Sequence, residues 1–197
     1  MTYSSNLPPT YLVTPEPEPG APLAAFVERL ESALQSGIRL VQLRAKTLAA
    51  AEYAKLAGEA LERCRVYDAR LLLNASADAV FALRADGVHL TSTRLMACAS
   101  RPLPPAFLVS AACHDALQVE HANRIGADLL TISPVLPTTT HTTTAPLGWS
   151  RFRELAALTT IPAYALGGMT AGTFDQAREA GAHGIAAIRA LWPVVAK

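Results

Sequence analysis

Eight short apolar runs, each long enough for a strand and too short for a helix, recur along the chain with crossover-length segments between them. They are YLVTP (11–15), RLVQLRAK (39–46), RLLLN (70–74), GVHL (87–90), FLVSAAC (107–113), DLLTISPV (128–135), PAYALGG (162–168) and GIAAIR (184–189). The segments AAFVERLESALQS (24–36), AAEYAKLAGEALERC (50–64), ALQVEHANRI (116–125), FRELAAL (152–158) and TFDQAREA (173–180) have helical periodicity. Gly37, Gly126 and Gly181 follow three of them, where a left-handed residue commonly stops a helix. Parallel neighbours need such crossovers, and eight βα units can close on themselves as a (β/α)8 TIM barrel. An open doubly wound sheet is the structural alternative. About 250 residues is typical of the closed fold, so in 197 residues the helices after strands 3, 4 and 8 are expected to be short. The division expected is an N-terminal lead, 1–10, and a single barrel domain, 11–197.

A chain that is 51% hydrophobic and 17% charged buries one large core, which excludes disorder. The net charge of +1 leaves no broad electrostatic footprint for nucleic acid or an anionic membrane, so any anion site is local and the ligand small. Cys64, Cys98 and Cys113 are odd in number and lack C-x-x-C spacing, which suits neither a disulfide framework nor zinc. No apolar run approaches the roughly 18 residues of a spanning helix, and the start MTYSSNLPPTYL lacks signal-peptide character, so a soluble, cytoplasmic protein is expected.

Ligands of such a barrel sit at the carboxyl ends of the strands, where this chain turns polar. In LVQLRAK, Gln42, Arg44 and Lys46 share one face of an extended chain, opposite Val41, Leu43 and Ala45. Two long cationic side chains on one face, roughly 7 Å apart, can close around adjacent phosphate groups. An ordinary surface pair beyond the strand end is the other reading. In YALGGMT, Gly167 and Gly168 let backbone N–H groups approach a phosphate, and the Ile188–Arg189 turn ends strand 8 beside them. The threonine-rich SPVLPTTTHTTTAPLGW (133–149) is long enough for a lid, with His141 on it and Gly148 as a hinge, or else is a solvated loop. Asn74 suits either a ligand contact or a helix cap. His89 reads as an inward-facing, satisfied barrel residue, and His114 as a proton carrier or a packing residue beside the cap Asp115.

VQLRAK, LLLN, ADGVHL, CHD, GAD, SPVLPTTTH, ALGGM and GAHGIAAI resemble, in that order, the thiamine-phosphate synthase family, which includes the TenI-like thiazole tautomerases. The resemblance covers residues 11–192 and implies a (β/α)8 barrel acting on phosphorylated thiamin precursors, with a dimer or higher oligomer as the expected assembly. By position, Gln42, Arg44 and Lys46 match the group that holds pyrophosphate, Asn74 the asparagine of an N-D pair, and Thr138 and Thr140 the P-T-x-T lid. Gly167, Gly168, Ile188 and Arg189 match the thiazole-phosphate site.

The departures fall on the chemistry. The N-D pair becomes Asn74–Ala75, and Thr93 and Arg94 stand where a second acid is expected, so the carboxylates that would hold Mg²⁺ are replaced. The lid lysine becomes His141, and the serine two places before the family histidine becomes Ala112. These losses resemble the tautomerase branch, although the histidine that branch carries after strand 6 aligns with Pro134. His114 and His141 are therefore the candidates for the general base, since imidazole titrates near neutral pH. No metal site is expected. The rival class is a module that binds a phosphate ligand without turnover. A phosphate-handling barrel of another pathway would need a catalytic Asp, Glu or Lys at its strand ends. The start LPPTYLVTPEP also resembles the barrel half of bacterial fusions with a Nudix hydrolase domain, which implies such a domain as a partner.

Overall fold

In the computed structural model, residues 7–138 and 145–193 are described. Eight parallel strands close into a barrel in sequence order: β1 (Thr10–Val13), β2 (Leu40–Leu43), β3 (Arg70–Leu73), β4 (Gly87–Leu90), β5 (Leu108–Cys113), β6 (Leu129–Ile132), β7 (Ala163–Leu166) and β8 (Gly184–Ala187). Strand β8 pairs with β1 through Tyr11 and Ala186, which leaves no open edge and rules out the open sheet. Helices α1 (Leu23–Gln35), α2 (Ala50–Val66), α3 (Ala77–Leu83), α4 (Ser92–Ala97), α5 (Ala116–Ile125), α6 (Gly148–Ala156) and α7 (Phe174–Glu179) form the outer ring. The shortening falls where the length required it, with 7 residues in α3, 6 in α4, and a three-residue 3-10 turn (Arg189–Leu191) after β8. No described helix is long and apolar enough to cross a membrane.

Alternation along the strands sorts the core into two regions. Outward residues such as Leu12, Val41, Leu43, Leu71, Leu73 and Ile185 join the buried faces of the helices. On α1 these are Phe26, Val27, Leu30, Ala33 and Leu34, spaced for one helical stripe, with roughly 1.5–3 kcal/mol for each large side chain buried. Inward residues Tyr11, Leu40, Leu72, Leu108, Leu129, Tyr164 and Ala186 fill the barrel with Leu7 from the lead. Strand β4 gives this layer only Gly87, where a Cβ would strike the backbone of Leu108. Two positions further along, the inward residues Val13, Gln42, Asn74, His89, Thr131, Leu166 and Ile188 face open space instead, while their counterpart on β5, Ser110, stays buried. The apolar layer is thus the floor on which a polar chamber stands.

Two expected boundaries move. Strand β2 ends at Leu43, so Arg44 and Lys46 follow the strand and do not lie within it. The last backbone bond there is Thr14 N–H to Gln42 O at 3.0 Å, and the backbone ladder goes no further. Thr14 substitutes for it: its hydroxyl accepts from Arg44 N–H at 2.8 Å and donates to Arg44 O at 3.2 Å. Helix α6 begins at Gly148, four residues before the expected start at 152. At that start Leu147 N–H donates to Pro134 O at 2.8 Å and Gly148 N–H to Val135 O at 2.9 Å. These bonds pin the two ends of the threonine-rich loop together.

Candidate functional site

A cavity of about 1040 Å³ opens at the carboxyl ends of the strands. Gln42, Arg44, Lys46, Asn74, His114, Thr138, Gly167, Gly168, Ile188 and Arg189 all border it, drawn from strand ends scattered over most of the sequence. Thr140 and His141 lie outside the described residues. The cations and the double glycine therefore share one chamber, the juxtaposition that the strand-end pattern required. Among the described residues lining it, three are permanent cations (Arg44, Lys46 and Arg189) and none is Asp or Glu. Nor do the described residues contain a group of three His, Cys, Asp or Glu able to hold a metal ion.

Arg44 does not stand alone. Its guanidinium meets Glu16 at 2.8 Å, and the other oxygen of that carboxylate accepts from Thr47 N–H at 3.3 Å and from its hydroxyl at 3.2 Å. Glu16 comes from the TPEPEP turn after β1 and is absent from the sequence-level candidates. The turn lies just past a strand end, the level at which ligands of such a barrel sit. Nothing in the turn itself, however, said which cation 28 positions away its acid would meet.

The double glycine is demanded by its surroundings. Gly167 and Gly168 have φ of 98° and 71°, in the left-handed region. A Cβ on Gly167 would stand 2.9 Å from Pro134 Cα, and one on Gly168 would stand 2.6 Å from Leu136 Cβ. The segment after β6 presses on the turn and continues its pairing, with Val135 N–H to Leu166 O at 2.9 Å and Leu136 N–H to Gly167 O at 3.1 Å. Missing side chains thus bring the β6–α6 loop against the glycine turn as one wall.

Two histidines sit at different depths. His114 follows β5, with Nδ1 2.7 Å from the Ser133 carbonyl oxygen. A carbonyl only accepts, so Nδ1 carries the proton and the lone pair of the neutral ring lies on Nε2. Its backbone N–H donates to Gln118 Oε1 at 2.8 Å, while Asp115 caps α5 through Gln118 N–H at 2.9 Å. The deeper histidine, His89, is 5% exposed and lies 2.9 Å from Ser110 Oγ through Nδ1. Burial, reinforced by Lys46 and Arg94, pushes its pKa down to about 3. Ser110 and Thr131, inward hydroxyls of β5 and β6, escaped the sequence reading because a lone Ser or Thr in a strand carries no signal of its own, whereas Ser133 opens the threonine-rich stretch after β6.

The chain matches the family model described as thiamine monophosphate synthase over residues 10–191. Thiamine-phosphate synthase of Thermus thermophilus is 37% identical over 182 residues, covering 92% of this chain and 87% of that protein. Thiamine-phosphate synthase of Methanospirillum hungatei is 33% identical over 173 residues, 87% of this chain and 84% of that protein. Among solved structures, a thiamine phosphate pyrophosphorylase from Pyrococcus furiosus shares the fold with a TM-score of 0.72, at 24% identity over 91% of this chain and 84% of that one.

Proposed function

Because the chain belongs to the thiamine monophosphate synthase family, whose place is thiamine biosynthesis, we propose that its cavity takes a thiazole phosphate or thiamine phosphate and moves protons on it without a metal ion. The observation that carries this reading is the charge of the lining: Arg44, Lys46 and Arg189 are present, and none of the described residues that border the cavity is Asp or Glu, Glu16 reaching Arg44 from the turn after β1. Relatives named synthases join two precursors, and the reaction that the resemblance implies releases pyrophosphate with Mg²⁺. A hard cation needs several oxygen ligands, preferably carboxylates, and Ala75, Thr93 and Arg94 occupy the positions expected to supply them. The donor set here does not fit that ion. It suits a bound anion whose charge side chains neutralise directly.

In this reading Gly167, Gly168, Ile188 and Arg189 hold the phosphate of the ligand, while Gln42, Arg44, Lys46, Asn74 and Thr138 face its other end. His114 is the general base. Its Nε2 lone pair takes a proton from one carbon of a thiazole carboxylate phosphate and returns it to another, leaving composition and net charge unchanged. The carbanion formed between the two transfers is conjugated with the ring, and the cationic rim lowers its energy. Ser133 serves by fixing the tautomer of His114 through its carbonyl oxygen at 2.7 Å.

The test is a pair of assays. Isomerisation of the thiazole carboxylate phosphate should proceed in EDTA and fall at least about a hundredfold in His114→Ala, the usual range for loss of a general base. Coupling of pyrimidine diphosphate to thiazole phosphate should stay at background with added Mg²⁺. Robust Mg²⁺-dependent coupling would sink the proposal. Silence in both assays, with thermal stabilisation by thiazole phosphate retained, would instead favour the binding module, for which the missing carboxylates are the specific argument.

A further inference from the structure

The chamber rests on a buried polar chain that the proton-transfer reading leaves unused. Tyr11 and Ser110 are completely buried, on β1 and β5, and Tyr11 Oη lies 3.4 Å from Ser110 Oγ. Ser110 Oγ is in turn 2.9 Å from His89 Nδ1, in a pair set by the register of β4 on β5. The phenol and the serine hydroxyl each have one proton to give.

Only one direction uses both protons within the chain. If His89 Nδ1 held the ring proton and donated to Ser110, then either Tyr11 or Ser110 would keep a buried proton with no acceptor among the described contacts. Such an orphan costs roughly 1–3 kcal/mol. If Tyr11 donates to Ser110 and Ser110 donates to Nδ1, both are satisfied, and the remaining proton lies on Nε2 of the residue that borders the cavity. Burial, with a smaller effect from Tyr164, raises the pKa of the Tyr11 phenol, so it stays a donor. The same physics keeps His89 neutral. On β6, two strands away, Thr131 Oγ1 is buried, lines the same chamber and has no hydrogen-bond partner among the described residues. Strand pairing sets Thr131 opposite Ala112, which carries only a methyl and borders the same cavity.

We propose that this floor selects the ring of the ligand: His89 Nε2–H and the Thr131 hydroxyl bind the hydrogen-bond-accepting edge of an azole, and Tyr11 and Ser110 are positioning residues that hold His89 in the donor tautomer. The argument rests on the reading that the cavity takes a phosphorylated azole. Charge then sets the orientation. Arg44, Lys46 and Arg189 stand at the rim and past the strand ends, whereas the floor carries only neutral groups, so a phosphate stays at the rim and the uncharged ring descends. Val13, Ala112 and Leu166 supply the apolar walls that a flat ring needs.

Two measurements test it on the full chain. With ¹⁵N-labelled histidine, two-bond correlation spectra should show His89 Nδ1 bare and Nε2 protonated, and in Ser110→Ala the Nδ1-protonated form should appear. Tyr11→Phe, which removes one oxygen without reshaping the core, should move the same signals in the same direction by a smaller amount. Titration with thiazole phosphate and with 2-phenylethyl phosphate, whose ring has no acceptor, should give the native chain about a tenfold preference for the azole, the worth of one good hydrogen bond. That preference should shrink severalfold in Ser110→Ala and Tyr11→Phe, with binding of 2-phenylethyl phosphate unchanged. A protonated Nδ1 in the native chain, or a preference indifferent to both substitutions, overturns the proposal alone. A native chain that binds neither ring phosphate overturns the functional reading with it.

Discussion

Replacing Gly168 by alanine tests how the glycine turn and the β6–α6 loop make one wall. At φ of 71° an L side chain costs about 1–2 kcal/mol of backbone strain. The new Cβ would stand 2.6 Å from Leu136 Cβ and 2.9 Å from Pro137 O, whereas carbon atoms settle at about 3.5–4.0 Å, so the loop must retreat by about 1 Å. It is not free to do so. Leu136 N–H is bonded to Gly167 O and Val135 N–H to Leu166 O, and weakening these bonds adds about 0.5–1.5 kcal/mol each. The expected total is about 2–5 kcal/mol, read as a lower urea midpoint at unchanged slope. Thr138 follows the displaced segment and borders the cavity, so thiazole phosphate affinity should drop tenfold or more, read by calorimetry. Gly172→Ala is the control: its Cβ would meet only Thr170 Oγ1, at an ordinary 3.7 Å, and its φ is not positive. If Gly168→Ala melts and binds like Gly172→Ala, the reasoning that joins turn, loop and site is wrong.

Three further outcomes are expected. Glu16→Gln should change stability by less than about 1 kcal/mol, because the pair with Arg44 is partly exposed, yet raise pyrophosphate affinity severalfold by freeing the guanidinium; weaker binding in calorimetry would show that Glu16 positions Arg44 and does not compete for it. His89 takes up its proton only near pH 3 when folded but near 6.5 when unfolded, so the stability it contributes is complete above pH 6.5 and lost as pH falls towards 3. At pH 5 that loss is about 2 kcal/mol, and urea melts of the native chain against His89→Gln should show their difference shift by that amount between pH 7 and pH 5; a constant difference would refute the neutral buried ring. Gly87→Ala should cost about 3 kcal/mol or more, because its Cβ would run into the Leu108 carbonyl and sit 2.8 Å from Leu72 Cδ2; a native-like urea midpoint would contradict the packing of the barrel floor.

Much of this architecture is written locally. The period of two in LVQL and GVHL, the helical stripe in LAAFVERLESALQ and the glycines after α1, α5 and α7 each depend on neighbours a few residues away, so they can be read before any fold is known. Eight units of that pattern can close into a barrel, and once β8 pairs with β1 the strand ends become the place where Gln42, Arg44, Asn74 and Gly168 meet. Where β2 stops was less legible, because it depends on the Thr14 hydroxyl at the end of another strand, which takes over both the donor and the acceptor role towards Arg44.

The amino-acid order alone thus determined the strands, their alternation and the identity of the cations available for an anion, since covalent spacing and side-chain chemistry set those. Only the folded barrel decided that Arg44 meets Glu16 across 28 positions, that Tyr11 lies beside Ser110 across 99, and that Nδ1 of His89 faces the same hydroxyl. Those pairings carry no local periodicity: they arise from the register with which a closed sheet brings distant inward positions to one level, and from burial that leaves each proton a single acceptor.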